Sequence, residues 1–127
     1  MNERHDPNNI GRSSFIWLPI QFPNAVGDFI RFRLASVPAG TYSVAVGFKR
    51  YTPRAMLQTL VGSEGGTLGN LGAPIDMYGS SSFLSANVGS WTIGTAGNQS
   101  VEFRVTGHHA SSTGYTMAID YVTLTPQ

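Results

Sequence analysis

Hydrophobic and polar residues alternate with period two along several short runs of this chain, which predicts strands with one buried face each. In Asp28–Leu34, Ile30, Phe32 and Leu34 alternate with Arg31 and Arg33, whose side chains should point to solvent. After the turn Val37-Pro38-Ala39-Gly40 comes the clearest case, with Tyr42, Val44, Val46 and Phe48 on one face and Ser43, Ala45, Gly47 and Lys49 on the other. The small residues of that outer face would let a second layer or a loop approach closely. Val101, Phe103 and Val105 alternate with Ser100, Glu102, Arg104 and Thr106, giving Glu102 the look of a solvated face. In the final run the phase changes: Tyr115, Met117, Ile119 and Tyr121 share one parity, and Ala118, Asp120, Val122 and Leu124 the other. Such a strand is either covered on both sides or bulged where the phase switches.

The remaining elements are Phe15–Ile20, Ala55–Val61, a brief extended piece at Ile75–Tyr78, and Phe83–Val88 with Trp91–Ile93 as one strand or a broken pair. By alternation Tyr42, Phe48, Phe103 and Tyr121 belong to the core. Trp91 joins them, and Trp17 sits in an apolar strand. Gly62–Pro74 holds five glycines and reads as a long loop. Fifteen Gly and seven Pro punctuate the chain, and no dozen residues carry a helical period. Short strands with frequent turn signals and no internal repeat predict an all-β protein, an antiparallel β-sandwich of the jelly-roll kind.

Composition narrows the classes. At 127 residues, 41% apolar and 12% charged, the chain fits one domain with a real core. We assign residues 1–14, polar and bearing Asn and Pro, to a flexible N-terminal segment, and 15–127 to the single sandwich domain. A net charge of +1 gives no field to draw nucleic acid or an acidic membrane, and no apolar run is long enough for a helical span. The start, MNERHDPNN, lacks the charged-then-apolar order of a signal peptide. Cysteine is absent, which excludes disulfides and thiolate chemistry.

An ordered series of short motifs then carries a resemblance. It runs Pro38-Ala39-Gly40-Thr41-Tyr42, Thr52-Pro53-Arg54, Leu71-Gly72-Ala73-Pro74-Ile75-Asp76-Met77-Tyr78 and Val88-Gly89-Ser90-Trp91. It continues through Ala96-Gly97-Asn98-Gln99-Ser100-Val101, Val105-Thr106-Gly107-His108-His109 and Ser111-Ser112-Thr113-Gly114-Tyr115 to Ile119-Asp120-Tyr121-Val122-Thr123-Leu124. Over roughly residues 25–126 this series resembles the galactose-binding-like jelly-roll modules, and is similar to carbohydrate-binding modules of families 6 and 35. The resemblance implies an extracellular module within a larger secreted protein, binding a polysaccharide or oligosaccharide beside a catalytic domain in the parent protein. It also implies that Asp120, in the Ile-Asp-aromatic-Val context, helps hold a structural calcium, the one cofactor in view. Calcium takes about six to eight oxygen ligands. The acidic pair expected in the first strand is missing from Phe15-Ile16-Trp17-Leu18-Pro19-Ile20, which favours Asp120 as a hydrogen-bonded carboxylate instead.

The residues offer sugar binding more readily than catalysis. Glycoside hydrolysis needs two carboxylates about 5–10 Å apart. Glu64 and Asp76 bracket the Gly-rich loop, Asp28 and Glu102 sit in alternating strands, and Glu3 and Asp6 lie in the terminal segment. They read as surface or turn residues, so the chain is not read as an enzyme. His108 and His109 are adjacent, point to opposite sides of an extended backbone, and cannot easily share a metal. No Gly-x-Ser-x-Gly elbow is present.

Sugar recognition asks for aromatic faces and planar polar groups. Three inter-strand loops supply them: Arg50, Tyr51 and Arg54 in one, Asp76 and Tyr78 in a second, His108, His109 and Ser111 in a third. Jelly-roll loops gather at the ends of the sandwich, where these sets would converge. Two arginines beside a tyrosine would also suit an acidic sugar. The expected function is a non-catalytic carbohydrate-binding module that targets an appended polysaccharide-degrading enzyme to its substrate. The alternative is a structural or assembly β-sandwich making protein contacts in a cell-surface or viral appendage.

Overall fold

A computed structural model describes residues 25–127 in full and, outside them, the backbone of two strands. The strands are β1 (Asn2–His5), β2 (Ser14–Trp17), β3 (Phe29–Val37), β4 (Gly40–Arg50), β5 (Met56–Ser63), β6 (Gly69–Asp76), β7 (Ser82–Ile93), β8 (Gly97–Gly107) and β9 (Ala118–Pro126). Sheet A has the order β1-β2-β9-β4-β7 and sheet B the order β3-β8-β5-β6, with every strand pair antiparallel. The described residues contain no helix. Of the segment assigned to a loose terminus, Asn2–His5 forms β1 and Ser14 opens β2; the rest of 1–13 lies outside the described residues, as do the Trp17 side chain and the expected continuation of that strand to Ile20.

The sheets face each other through the alternating residues. Tyr42, Val44, Val46 and Phe48 of β4, in sheet A, share one core with Val101, Phe103 and Val105 of β8. Each such side chain contributes about 1.5–3 kcal/mol by leaving water. Leu57, Met77, Trp91 and Met117 fill the same layer.

Two irregularities set the phase of the long strands. In β9, Ile119 pairs with Phe48 and Tyr121 with Gly47, so Asp120 is the extra residue of a bulge. Ile119 therefore faces the core, and after the bulge Val122 and Leu124 pack against it in turn. Tyr121, expected in the core, is thrown to the outer face, where its ring covers Gly47: a Cβ there would stand 2.1 Å from Tyr121 Cε2. The bareness of that outer face thus admits a ring and not a second layer. In β7, pairing of Val44 with Gly89 and Ala45 with Asn87 leaves Val88 as an extra residue, and the two pieces read from the sequence form one continuous strand.

Two expectations are corrected. The stretch 62–74 is not all loop, because Gly69–Asp76 is β6, edge strand of sheet B. Its glycines and Pro74 conceal a strand with a large bulge, in which Leu57 pairs with Ile75 and Thr59 with Leu71. Glu102 is not solvated but 0% exposed, lying between Arg31 across the β3–β8 ladder and Arg104 two residues on. Both arginine side chains remain about half exposed, so period two correctly separates the faces while the covering is a tertiary matter.

Candidate functional site

Antiparallel connectivity puts the β4–β5, β6–β7 and β8–β9 connections at one end of the sandwich. There the three loops expected to converge are joined by backbone hydrogen bonds. Tyr51 N donates to Met77 O at 3.2 Å and Gly79 N to Tyr51 O at 3.3 Å, in a parallel bridge between Tyr51 and Tyr78. Ala55 N donates to Thr116 O at 2.7 Å, Thr116 N to Pro53 O at 2.9 Å, and Thr113 N to Thr52 O at 3.1 Å. The Ser112 hydroxyl lies within hydrogen-bonding distance of the carbonyls of Thr52, Arg54 and Gly114, at 3.1, 2.7 and 3.1 Å. The β4–β5 loop is thus sewn to both neighbours.

On this frame Tyr51 is 47% exposed, one of the few large apolar side chains left open among the described residues. Arg54 sits beneath it with Cζ 5.8 Å from the ring centroid. Arg54 itself is only 4% exposed, and its Nε donates to Lys49 O at 3.0 Å while Nη1 donates to Thr116 Oγ1 at 2.8 Å. Removal from water lowers its guanidinium well below the ordinary value, to about 10, with Tyr51 acting in the opposite sense. A base so depressed costs the fold stability at every pH below about 10, a cost relieved only as pH rises through that value. Arg54, expected to grip a ligand, lies buried beneath the tyrosine and ties two loops together. Arg54→Met should therefore destabilise the domain by about 1–3 kcal/mol, since two buried acceptors lose their donor. A urea midpoint equal to that of the parent chain would contradict this.

The other predicted residues meet at the same end. Tyr78 and His109 stack with ring centroids 4.6 Å apart and 9° between planes, bringing together the second and third loops. His109 is exposed, and its Nδ1 accepts from Ser111 N at 3.0 Å, which leaves Nε2 to carry the ring hydrogen. His108 sets its ring edge-to-face with Tyr115, centroids 4.7 Å apart. Its Nδ1 lies 2.6 Å from His109 O, so that nitrogen is the donor and the ring steadies the loop. Asp76 accepts from Tyr78 N at 3.0 Å, folding a local turn that presents the Tyr78 ring. Arg50 shares the inward parity of Val46 and Phe48 but lies at the mouth of the sandwich, against Gly79. Tyr115, Thr116 and Ser112 were not singled out by sequence reasoning; the signal was present as hydroxyls and an aromatic in a Gly-bounded loop of fixed length.

Asp120 is the extra residue of the β9 bulge, between Ile119 opposite Phe48 and Tyr121 opposite Gly47. Among the described residues no group of three His, Cys, Asp or Glu is placed to hold a metal, so the side chains described do not fit the calcium set that the resemblance implies. A separate cavity of about 350 Å³ opens at the opposite end, between the β5–β6 and β7–β8 turns. It is lined by Ser63, Thr67, Thr92, Thr95, Gln99 and the edge of Trp91. With Trp91 buried and no charged group in its lining, it offers far less than the aromatic end.

No family model and no curated protein matches the chain. Among solved structures, it is similar to part of a Paenibacillus xanthan lyase, 26% identical with a TM-score of 0.82 over 99% of this chain and 11% of that one. The chain has an all-β antiparallel sandwich fold of the jelly-roll kind. The same fold recurs in a Podospora anserina GH26-CBM35 β-(1,4)-mannanase, 16% identical with a TM-score of 0.56 over 100% of this chain and 25% of that one. It recurs in the C-terminal domain of EclA, a sugar-binding protein, at 14% identity and a TM-score of 0.61, over 91% of this chain and 79% of that one. This chain therefore spans only a small part of either enzyme.

Proposed function

We propose that the chain is a non-catalytic carbohydrate-binding module that holds an appended polysaccharide-degrading enzyme on its substrate outside the cell. The observation that carries this reading is the exposed Tyr51, propped from below by buried Arg54 and set beside the stacked Tyr78–His109 pair. A pyranose presents a C–H face to an aromatic ring and hydroxyls to its rim. Tyr51 supplies the ring, while His109 Nε2–H and the second oxygen of Asp76 supply a donor and an acceptor. The frame is preorganised by backbone and Ser112 hydrogen bonds, so little loop entropy is lost on binding. Likeness to segments of a xanthan lyase and a mannanase supports attachment to such enzymes. Tethering then raises the local substrate concentration with only modest affinity per module.

Affinity electrophoresis through gels containing soluble polysaccharides tests this. The chain should be retarded by at least one, and Tyr51→Ala should weaken binding by about 30-fold, the usual effect of truncating an aromatic anchor worth about 2 kcal/mol. Its melting temperature should stay within a few degrees, because Tyr51 is already half in water. Absence of binding across a broad glycan panel, together with a stable oligomer in sedimentation, would replace this reading with that of an assembly domain.

A further inference from the structure

Arg50 points to the chemical class of the ligand. It ends β4 with the parity of Val46 and Phe48 and is only partly exposed. The stem lies so close to Gly79 that a Cβ there would stand 2.8 Å from Arg50 Cδ and 3.1 Å from Nε. Nε is buried and has no hydrogen-bond partner among the described residues. The other arginines of the described residues are engaged: Arg31 and Arg104 on Glu102, Arg33 on Glu64, Arg54 on Lys49 O and Thr116. Asp76, the carboxylate of the loop cluster, is committed through Oδ1 to Tyr78 N. A partly desolvated guanidinium with a buried, unused donor is a costly arrangement unless an anion completes it.

We infer that the site is built for an acidic glycan, with Arg50 gripping the carboxylate of a uronate or similarly acidic sugar beside the ring held on Tyr51. This rests on the carbohydrate-binding reading above. The planar fork of Arg50 matches a carboxylate in two parallel hydrogen bonds, which a hydroxyl cannot accept in the same way. Gly79 fixes the stem, so the fork is preorganised. Arg54 does not suit this role because it is 4% exposed, with Nε and Nη1 already on Lys49 O and Thr116 Oγ1.

The test compares xanthan, alginate and polygalacturonate oligosaccharides, each beside its carboxyl-reduced form, by isothermal titration. At least one acidic form should bind about tenfold or more tighter than its reduced counterpart, the usual gain of a charge-assisted pair. Arg50→Gln should bring that ratio close to one, and Arg50→Lys should leave it intermediate, because the charge persists without the fork. Acidic and reduced forms binding equally well to the parent chain would remove this inference and leave the glycan reading intact. So would an Arg50→Gln chain that still discriminates between the two forms with an unchanged melting temperature. Binding of neither form, on these or any glycans, would remove both.

Discussion

Gly72→Ala is expected to lower the stability of the domain by about 2–4 kcal/mol, a larger loss than any other single glycine substitution in the β5–β6 region. Gly72 has φ +67°, and a Cβ at that position would stand 1.8 Å from the Val88 carbonyl oxygen. Two costs combine. The left-handed backbone costs an alanine about 1–2 kcal/mol, and the methyl collides with main chain, which cannot rotate away as a side chain would. The region has little freedom to relax: Gln58 Nε2 reaches the carbonyls of Thr59, Leu71 and Gly72 at 3.0, 3.3 and 3.0 Å, pinning the bulge of β6. Val88 is itself the extra residue of the β7 bulge, so the contact joins two irregular edges and closes one side of the sandwich. For a domain of this size the loss corresponds to a fall in melting temperature on the order of 10–20 °C. Gly65→Ala is the control. Its φ is +79° but nothing lies within 4 Å of the added Cβ, so only the backbone cost of about 1 kcal/mol applies. Equal melting temperatures for the two variants would sink the steric account.

Replacing Arg31 and Arg104 together by Met should cost about 3–5 kcal/mol at neutral pH, whereas Glu102→Gln should cost only about 1–2 kcal/mol. The asymmetry follows from burial. Glu102 is 0% exposed, while the Arg31 and Arg104 side chains are 50% and 44% exposed. Without Glu102, both guanidinium groups turn to water at small cost. Without the arginines, a carboxylate is left in the sheet face with its charge uncompensated. Urea unfolding of the three chains at neutral pH checks this. A Glu102→Gln chain as unstable as the double variant would show that the charge is not what matters at this position.

Both predictions concern positions whose meaning the sequence conceals. Gly72 lies in a stretch so rich in glycine that it reads as loop, and nothing local tells that Val88 will lie against it. Glu102 alternates with apolar residues as a solvated side chain should; its burial depends on Arg31, some seventy positions away in the chain. The candidate site divides along the same line. Three polar-aromatic loops were legible because turn residues separate clear strands, and antiparallel strands must bring alternate loops to one end. Their aromatic pairing was not. Tyr78 meets His109 through side chains of two loops, and Arg54 passes from ligand to prop because it points beneath Tyr51 instead of beside it.

What the sequence determined by itself is the all-β character, the inner faces of β3, β4 and β8, and the change of phase in the final strand. Each of these rests on a period of two, set by backbone geometry within a few residues. Which carboxylate is buried, which arginine is spent and which is left open, and where glycine is obligatory were decided only by the tertiary structure. Those properties depend on what lies opposite each side chain, and opposite neighbours here come from strands and loops far away in the sequence. Arg50 and Arg54 stand four residues apart, and only packing separates the arginine at the mouth of the sandwich, whose Nε has no partner among the described residues, from the buried one beneath Tyr51.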